Sequence, residues 1–291
     1  MKTKDFPYFV FGFEEFNQTQ AKVIPKIIDG YNLVVACPPG TGKTAIAEAA
    51  YGFHFSRNPQ AKSAYVCPFR ALGMQKLKDW QNSCFKKYGV CYIGGDSKQG
   101  FKDIDDNGLS IFTSESYDIY SRHTKSVFSC VCFDEAHLVG DEDRGARYES
   151  GIINSAHVLQ LILLSGTMPN PRDLGVWIKG LTGNKTCVVN DAWTKNKVGI
   201  RFHYCERNRY DAKLTELIKG YRGEKTIVFV HSRQTGKEVL KRLRKSGFRC
   251  CFHHGRLKAG DKDAIERLFL DGGSGLDIVV ATSTLSAGIN S

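Results

Sequence analysis

The chain has no run approaching the ~20 apolar residues of a membrane-spanning helix, and residues 1–7 lack the apolar core of a signal peptide. Its ten cysteines include no Cys-x-x-Cys pair, which removes the commonest zinc and redox spacings. Cys130 and Cys132 sit in an apolar run and Cys250 and Cys251 are adjacent, so they read as buried small hydrophobes rather than ligands. No segment has a disordered composition; 42% hydrophobic and 24% charged residues are those of an ordinary globular protein. The expected setting is cytoplasmic or nuclear, intracellular and reducing.

Excess positive charge is absent from residues 1–194, which carry 21 basic against 20 acidic side chains, whereas residues 195–291 carry 20 against 10. The net charge of +11 therefore belongs almost wholly to the second part. Such a bias suits a polyanion, because Lys and Arg neutralise phosphates without reading sequence, although a solvated basic face gives the same count. A length of 291 residues predicts two domains at roughly 100–200 residues each.

The strongest local signal is the apolar run Val34 to Ala36, followed by Cys37, Pro38, Pro39, Gly40, Thr41, Gly42, Lys43 and Thr44 and then by a helix-compatible segment. A strand that delivers a Gly-rich turn to a helix N-terminus makes a phosphate cradle of backbone N–H groups. Lys43 can neutralise β- and γ-phosphates, and the Thr44 hydroxyl suits a Mg²⁺ shell. The strict motif has Gly where this chain has Cys37. Upstream, Asn17 reads as a helix N-cap with Gln20 in the first turn; the Gln20 carboxamide suits an adenine edge, but taken alone such a residue is more often a surface group.

A second signal is the apolar run Val127 to Phe133 ending in Asp134, Glu135, Ala136 and His137. Paired carboxylates at a strand end, beside the phosphate loop, suit a Mg²⁺ ligand, Asp134, and a base for the attacking water, Glu135. His137 is placed to relay nucleotide state. Small hydroxyls after the next core strand, Ser165 and Thr167, are placed to sense it. Other strand ends carry Arg70, the pair Gly94 and Gly95, and Thr113 to Glu115. Arg70 suits a backbone phosphate or a plain surface position, and Thr113 a helix cap or a phosphate contact. A helix is expected from about Gly73 to Phe85, residues 97–108 read as a loop, and residues 183–200 as a linker. A second α/β pattern follows, with His231 to Arg233, His253 to Leu257 and Ala281 to Ser291 after its strands. Metal binding by the vicinal histidines and cysteines is disfavoured, since adjacent strand residues face opposite sides.

The ordered set resembles a superfamily 2 DExH-box helicase of the Ski-like branch, over essentially the whole chain. Gln20 is similar to the Q motif, Cys37–Thr44 to motif I, Pro68–Leu72 to Ia, Thr113–Glu115 to Ib, Asp134–His137 to II and Ser165–Thr167 to III. Phe229–Arg233 resembles motif IV and Ala281–Asn290 motif V. The resemblance implies an α/β fold of two tandem RecA-like P-loop domains with parallel sheets, residues 1–194 and 195–291, the second incomplete. ATP and Mg²⁺ would lie between the domains, with Pro39, Gly40, Thr41, Gly42 and Gly288 among the nucleotide contacts. Single-stranded or tailed duplex DNA or RNA would touch Arg70, Gly95 and Thr113 in one domain and Ser232, Arg233, His254, Thr282 and Ser283 in the other.

The family's motif VI, a Gly-Arg-x-Gly-Arg run whose arginines reach the γ-phosphate, has no counterpart in the 291 residues. Loss of such arginines lowers phosphoryl transfer by about 10³–10⁵-fold. The expectation is therefore a helicase or translocase core, a fragment with impaired turnover, or else an ATP-responsive nucleic-acid clamp without productive hydrolysis. A small-molecule kinase leaves the second α/β half unexplained.

Overall fold

The computed structural model describes residues 1–95, 100–124, 127–192 and 199–282. The chain divides into two compact units, Met1–Lys197 and Val198–Ser291.

In the first unit the elements alternate: α1 (Gln18–Ile28), β1 (Asn32–Ala36), α2 (Lys43–Arg57), β2 (Ser63–Cys67), α3 (Arg70–Gln81) and β3 (Val90–Ile93). Then come α4 (Asp103–Asp106), β4 (Leu109–Thr113), α5 (Ser114–His123), β5 (Cys130–Phe133), α6 (Gly145–Asn154), β6 (Gln160–Ser165), α7 (Pro171–Thr182) and β7 (Thr186–Asn190). The strands form one parallel seven-stranded sheet in the order β3-β4-β2-β5-β6-β1-β7. Side chains alternate between its faces, as the twofold period of a strand requires. Leu33, Val35, Tyr65, Ile111, Cys132 and Ile162 join a core with α1 and α2, while Val34, Val66, Phe112, Val131 and Leu163 join another with α5 to α7. Helices on both faces explain why these strands read as unbroken apolar runs.

Asn17 caps α1, its side chain accepting from the Gln20 amide. Before it, Phe6, Tyr8, Phe9, Phe11 and Phe16 form an aromatic strap whose Tyr8 meets Phe53 of α2 edge-on at 5.2 Å. A Cβ on Gly52 would fall 2.6 Å from the Tyr8 carbonyl oxygen, so this glycine is what lets the strap lie flat on α2.

Three local expectations are corrected. Residues 186–190 are strand β7, paired with β1, rather than linker. Their polar flanks hide a short half-buried edge strand in which Val188 packs beneath Gly175. The α3 helix begins at Arg70, three residues before Gly73, so that Arg70 lies on its first turn rather than on the strand. The expected loop contains the one-turn helix α4, which Asp103 fastens by accepting from the Gly100 amide at 2.6 Å.

The second unit has α8 (Tyr210–Gly220), β8 (Thr226–Phe229), α9 (Arg233–Lys245), β9 (Cys250–His253), α10 (Ala259–Leu270) and β10 (Ile278–Ala281). Its parallel sheet runs β8-β10-β9 around Val228, Val239, Leu243, Cys250 and Val280. Among the described residues no helix is long and apolar enough to cross a membrane.

Candidate nucleotide and nucleic-acid sites

The carboxyl edge of the first sheet is split by its strand order. Strands β5, β6 and β1 are neighbours and end at Phe133, Ser165 and Ala36, which brings the phosphate loop, Asp134 to His137 and Ser165 to Thr167 together. Strands β3, β4 and β2 are also neighbours and deliver Gly95, Thr113 and Arg70 to the other half of that edge. Ligands of open α/β sheets gather at such an edge.

The loop itself is shaped by Gly40 and Gly42, with φ of 76° and 73°, in the left-handed region that only glycine enters freely. Gly42 is also the N-cap position of α2. Asn17 donates to the Thr41 carbonyl at 2.7 Å, and Gln20 donates from Nε2 to the Gly42 carbonyl at 3.1 Å. Gln20 is 3% exposed, and its Oε1 accepts from the Asn17 amide. It braces the loop. Cys37 stands where the strict motif has Gly; its buried thiol accepts from the Thr41 hydroxyl at 3.1 Å, which stitches the loop from within. Lys43 donates to the carbonyls of Cys37 and Pro38 at 3.2 and 3.3 Å. A Cβ on Gly166 would lie 3.6 Å from the Lys43 ammonium and 3.5 Å from Pro39, so the turn after β6 lies against the loop.

Asp134 is buried and accepts from the Tyr65 hydroxyl; its other oxygen accepts from the Glu135 amide at 3.0 Å. Glu135 has φ of 50°, the one positive value outside glycine among the described residues, and such backbone costs about 1–3 kcal/mol. Burial first, and the Asp134 charge second, push its carboxyl above the ordinary range, against the opposing pull of Lys43 and His137. His137 Nδ1 lies 3.3 Å from Glu135 and 2.8 Å from the Ser165 hydroxyl. That hydroxyl in turn donates to the Thr167 carbonyl at 2.7 Å and accepts from its amide at 3.2 Å.

Sequence reasoning missed two residues here. Tyr65 reads as core, and Lys76 as one of several basic residues on a helix; yet Lys76 is 7% exposed and donates to the Thr44 hydroxyl at 3.1 Å. The signal available was a lysine four residues before Trp80, on the same face of α3 as that indole.

The residues present fit Mg²⁺ with a nucleoside triphosphate. Thr44 and Asp134 are hard oxygen donors, and among the described residues no group of three or more His, Cys, Asp or Glu is arranged to hold a metal ion by itself. One or two protein ligands, with substrate phosphates and water supplying the rest, is the way Mg²⁺ is held.

On the strand half, Thr113 caps α5, accepting from the Ser116 amide and sharing a 2.8 Å hydroxyl contact with Ser116. Arg70 and Gly95 are exposed. The tight approach lies one residue earlier, where a Cβ on Gly94 would meet the Tyr92 hydroxyl at 2.3 Å.

In the second unit the register sets Ala281 beside both Phe229 and His253, so Ser232, Arg233, Thr282 and His254 follow the ends of three adjacent strands. Ser232 caps α9 by accepting from the Thr235 amide, and the Thr282 amide donates to the His253 carbonyl. Partial burial and then the charges of Arg233, Lys237 and Lys262 lower the His254 pKa. Ser283 and Gly288 lie outside the described residues.

Residues 17–174 match the family model described as DEAD/DEAH box helicase, and residues 210–291 match the helicase conserved C-terminal domain. The chain is 28% identical to an ATP-dependent DNA helicase Hel308 from Pyrococcus abyssi, with 96% of this chain and 44% of that protein aligned. It is 25% identical to the ATP-dependent DNA helicase homolog MER3 of Arabidopsis thaliana, over 96% of this chain and 31% of that one. The crystal structure of the DUF1998 helicase MrfA bound to DNA and AMPPNP shares the fold, with a TM-score of 0.74 and 19% identity over 96% of this chain and 43% of that one. The chain thus spans less than half the length of these relatives.

Proposed function

We propose that this chain, which belongs to the DEAD/DEAH box helicase family and to its Ski-like branch, is the ATP-hydrolysing core of a helicase or translocase that moves on single-stranded nucleic acid. The observation that carries the reading is the convergence of Lys43, Thr44, Asp134, Glu135, His137 and Ser165 at the ends of three adjacent strands. Backbone amides of the Gly40–Thr44 turn cradle the phosphates, and Lys43 leaves its loop carbonyls to neutralise them. Thr44 and Asp134 hold Mg²⁺, which when bound offsets charge developing on the β- and γ-phosphates. Glu135, turned by its left-handed backbone, takes a proton from the attacking water. His137 and Ser165 pass the state of that site to Thr167. Arg70, Gly95 and Thr113, and separately Ser232, Arg233, His254 and Thr282, contact the strand's sugar-phosphate backbone. DNA is the first substrate to try, since the Hel308 and MER3 relatives are DNA helicases by name.

A second reading, an ATP-responsive clamp that binds without productive turnover, is favoured by one observation. Lys43 is held within its own loop by the carbonyls of Cys37 and Pro38, at 3.2 and 3.3 Å, which opposes its reaching a γ-phosphate. Single-turnover hydrolysis with and without single-stranded DNA or RNA decides. The helicase reading expects Mg²⁺-dependent hydrolysis that is stimulated by the strand and abolished by Lys43→Ala; nucleotide binding with no phosphate release supports the clamp. Absence of Mg²⁺-dependent ATP binding would defeat both.

A further inference from the structure

Thr44, on the first turn of α2, and Asp134, just after β5, come from different elements, yet both are held from one supersecondary unit, β2–α3. Tyr65, fully buried on β2, donates its hydroxyl to Asp134, and Lys76, buried on α3, donates to Thr44 at 3.1 Å. The two are joined behind the loop. Trp80 of α3 meets the Tyr65 ring edge-on at 5.1 Å and donates from Nε1 to Glu48 at 2.8 Å, and Glu48 is the nearby opposite charge for Lys76. Burying a lysine is costly unless its charge is compensated, and an apolar side chain would fill that space without the penalty. The arrangement thus spends a compensated buried cation, with its anchoring carboxylate and indole, on orienting one hydroxyl.

We infer that Tyr65 and Lys76 are positioning residues for the metal site: each fixes the direction of one oxygen ligand, so that Mg²⁺ meets a preset pair. Partners that orient metal ligands typically contribute 10–100-fold to metal affinity. This rests on Thr44 and Asp134 being the Mg²⁺ ligands of the proposed reading.

The test is the Mg²⁺ concentration that half-saturates binding of a fluorescent ATP analogue to the 291-residue chain. In Tyr65→Phe and Lys76→Met that concentration should rise about 10–100-fold, with part recovered in Lys76→Arg, while analogue affinity in EDTA stays within about twofold of wild type. An unchanged Mg²⁺ midpoint in variants that melt cooperatively would overturn the inference. So would a parallel loss of affinity in EDTA, which marks a merely structural role. Tyr65→Phe removes one oxygen atom and carries the test should Lys76→Met fail to fold. Failure of the underlying reading looks different: the wild-type chain itself would bind the analogue without any dependence on Mg²⁺.

Discussion

His137 and Ser165 are joined through Nδ1 and Oγ at 2.8 Å, and the same serine oxygen holds the carbonyl and the amide of Thr167. The imidazole thereby ties the carboxylate segment after β5 to the turn after β6, and that turn lies against Lys43 and Pro39. Removing the hydroxyl should leave nucleotide affinity in place and cut communication. Ser165→Ala is expected to lower the stimulation of hydrolysis by single strands by about 5–150-fold, the usual span of coupling between sites. Steady-state ATPase with and without oligonucleotide measures this. An equal fall in the unstimulated rate would instead assign the serine to the hydrolytic step.

Glu135 carries a pH signature. Burial and then Asp134 raise its pKa, and a base works only when ionised, so the acid limb of hydrolysis should lie above the ~4.3 of a free glutamate. Glu135→Gln should keep ATP binding and lower single-turnover hydrolysis by about 10²–10⁴-fold. A profile that stays flat down to the ordinary glutamate value would separate this side chain from the rate.

Glu48 supplies a stability test on the same unit. Burial raises its pKa in spite of the Trp80 hydrogen bond and the Lys76 charge, with Asp79 adding to the rise. The folded chain therefore holds the proton more readily than the unfolded one. The group's contribution to stability is full below the unfolded pKa and is lost as pH rises through the folded one. In a Lys76→Met background, where no buried cation needs the carboxylate, Glu48→Gln, whose amide oxygen still accepts from Trp80, should melt at a higher temperature than its parent at pH 7. The difference should vanish near pH 4, below the unfolded glutamate value of about 4.3. Calorimetry at the two pH values checks the sign.

The parts of this molecule that the sequence discloses are those where chemistry is dense along the chain. Gly40 to Thr44 and Asp134 to His137 each occupy consecutive positions after an apolar strand, and Asn17 caps its helix as read; Gln20, which by itself reads more often as a surface residue, is buried and accepts from the Asn17 amide. Contacts between distant segments are hidden. Tyr65 reads as one more aromatic in an apolar strand, and only the β2–β5 pairing sets its hydroxyl against Asp134. Lys76 reads as a surface cation until α3 is seen to turn it inward. The edge strand β7 is lost among Gly, Asn, Thr and Lys because half-buried edges need few apolar residues. The phosphate loop's departure, Cys37, looks like a defect in the motif and is a buried thiol bonded to Thr41.

Strand contact by the two units can be separated from folding through salt. Arg70 opens α3 and Arg233 opens α9; both are exposed and follow strand ends. A residue that neutralises one phosphate of a single strand contributes about 0.7 to the slope of log affinity against log salt. Arg70→Ala and Arg233→Ala should each flatten that slope by about 0.7, and the double variant by about 1.4, if each unit contributes its own contact. Thr113→Ala is the contrasting case. Its hydroxyl caps α5 and is uncharged, so its loss should cost about 1 kcal/mol of stability and leave the salt slope unchanged. A loss of affinity for Thr113→Ala that is uniform across salt would show that the hydroxyl also touches the strand; an affinity equal to wild type would confine it to the helix cap. A slope that ignores both arginines would remove the strand from these two edges and leave the basic second unit to bind it elsewhere.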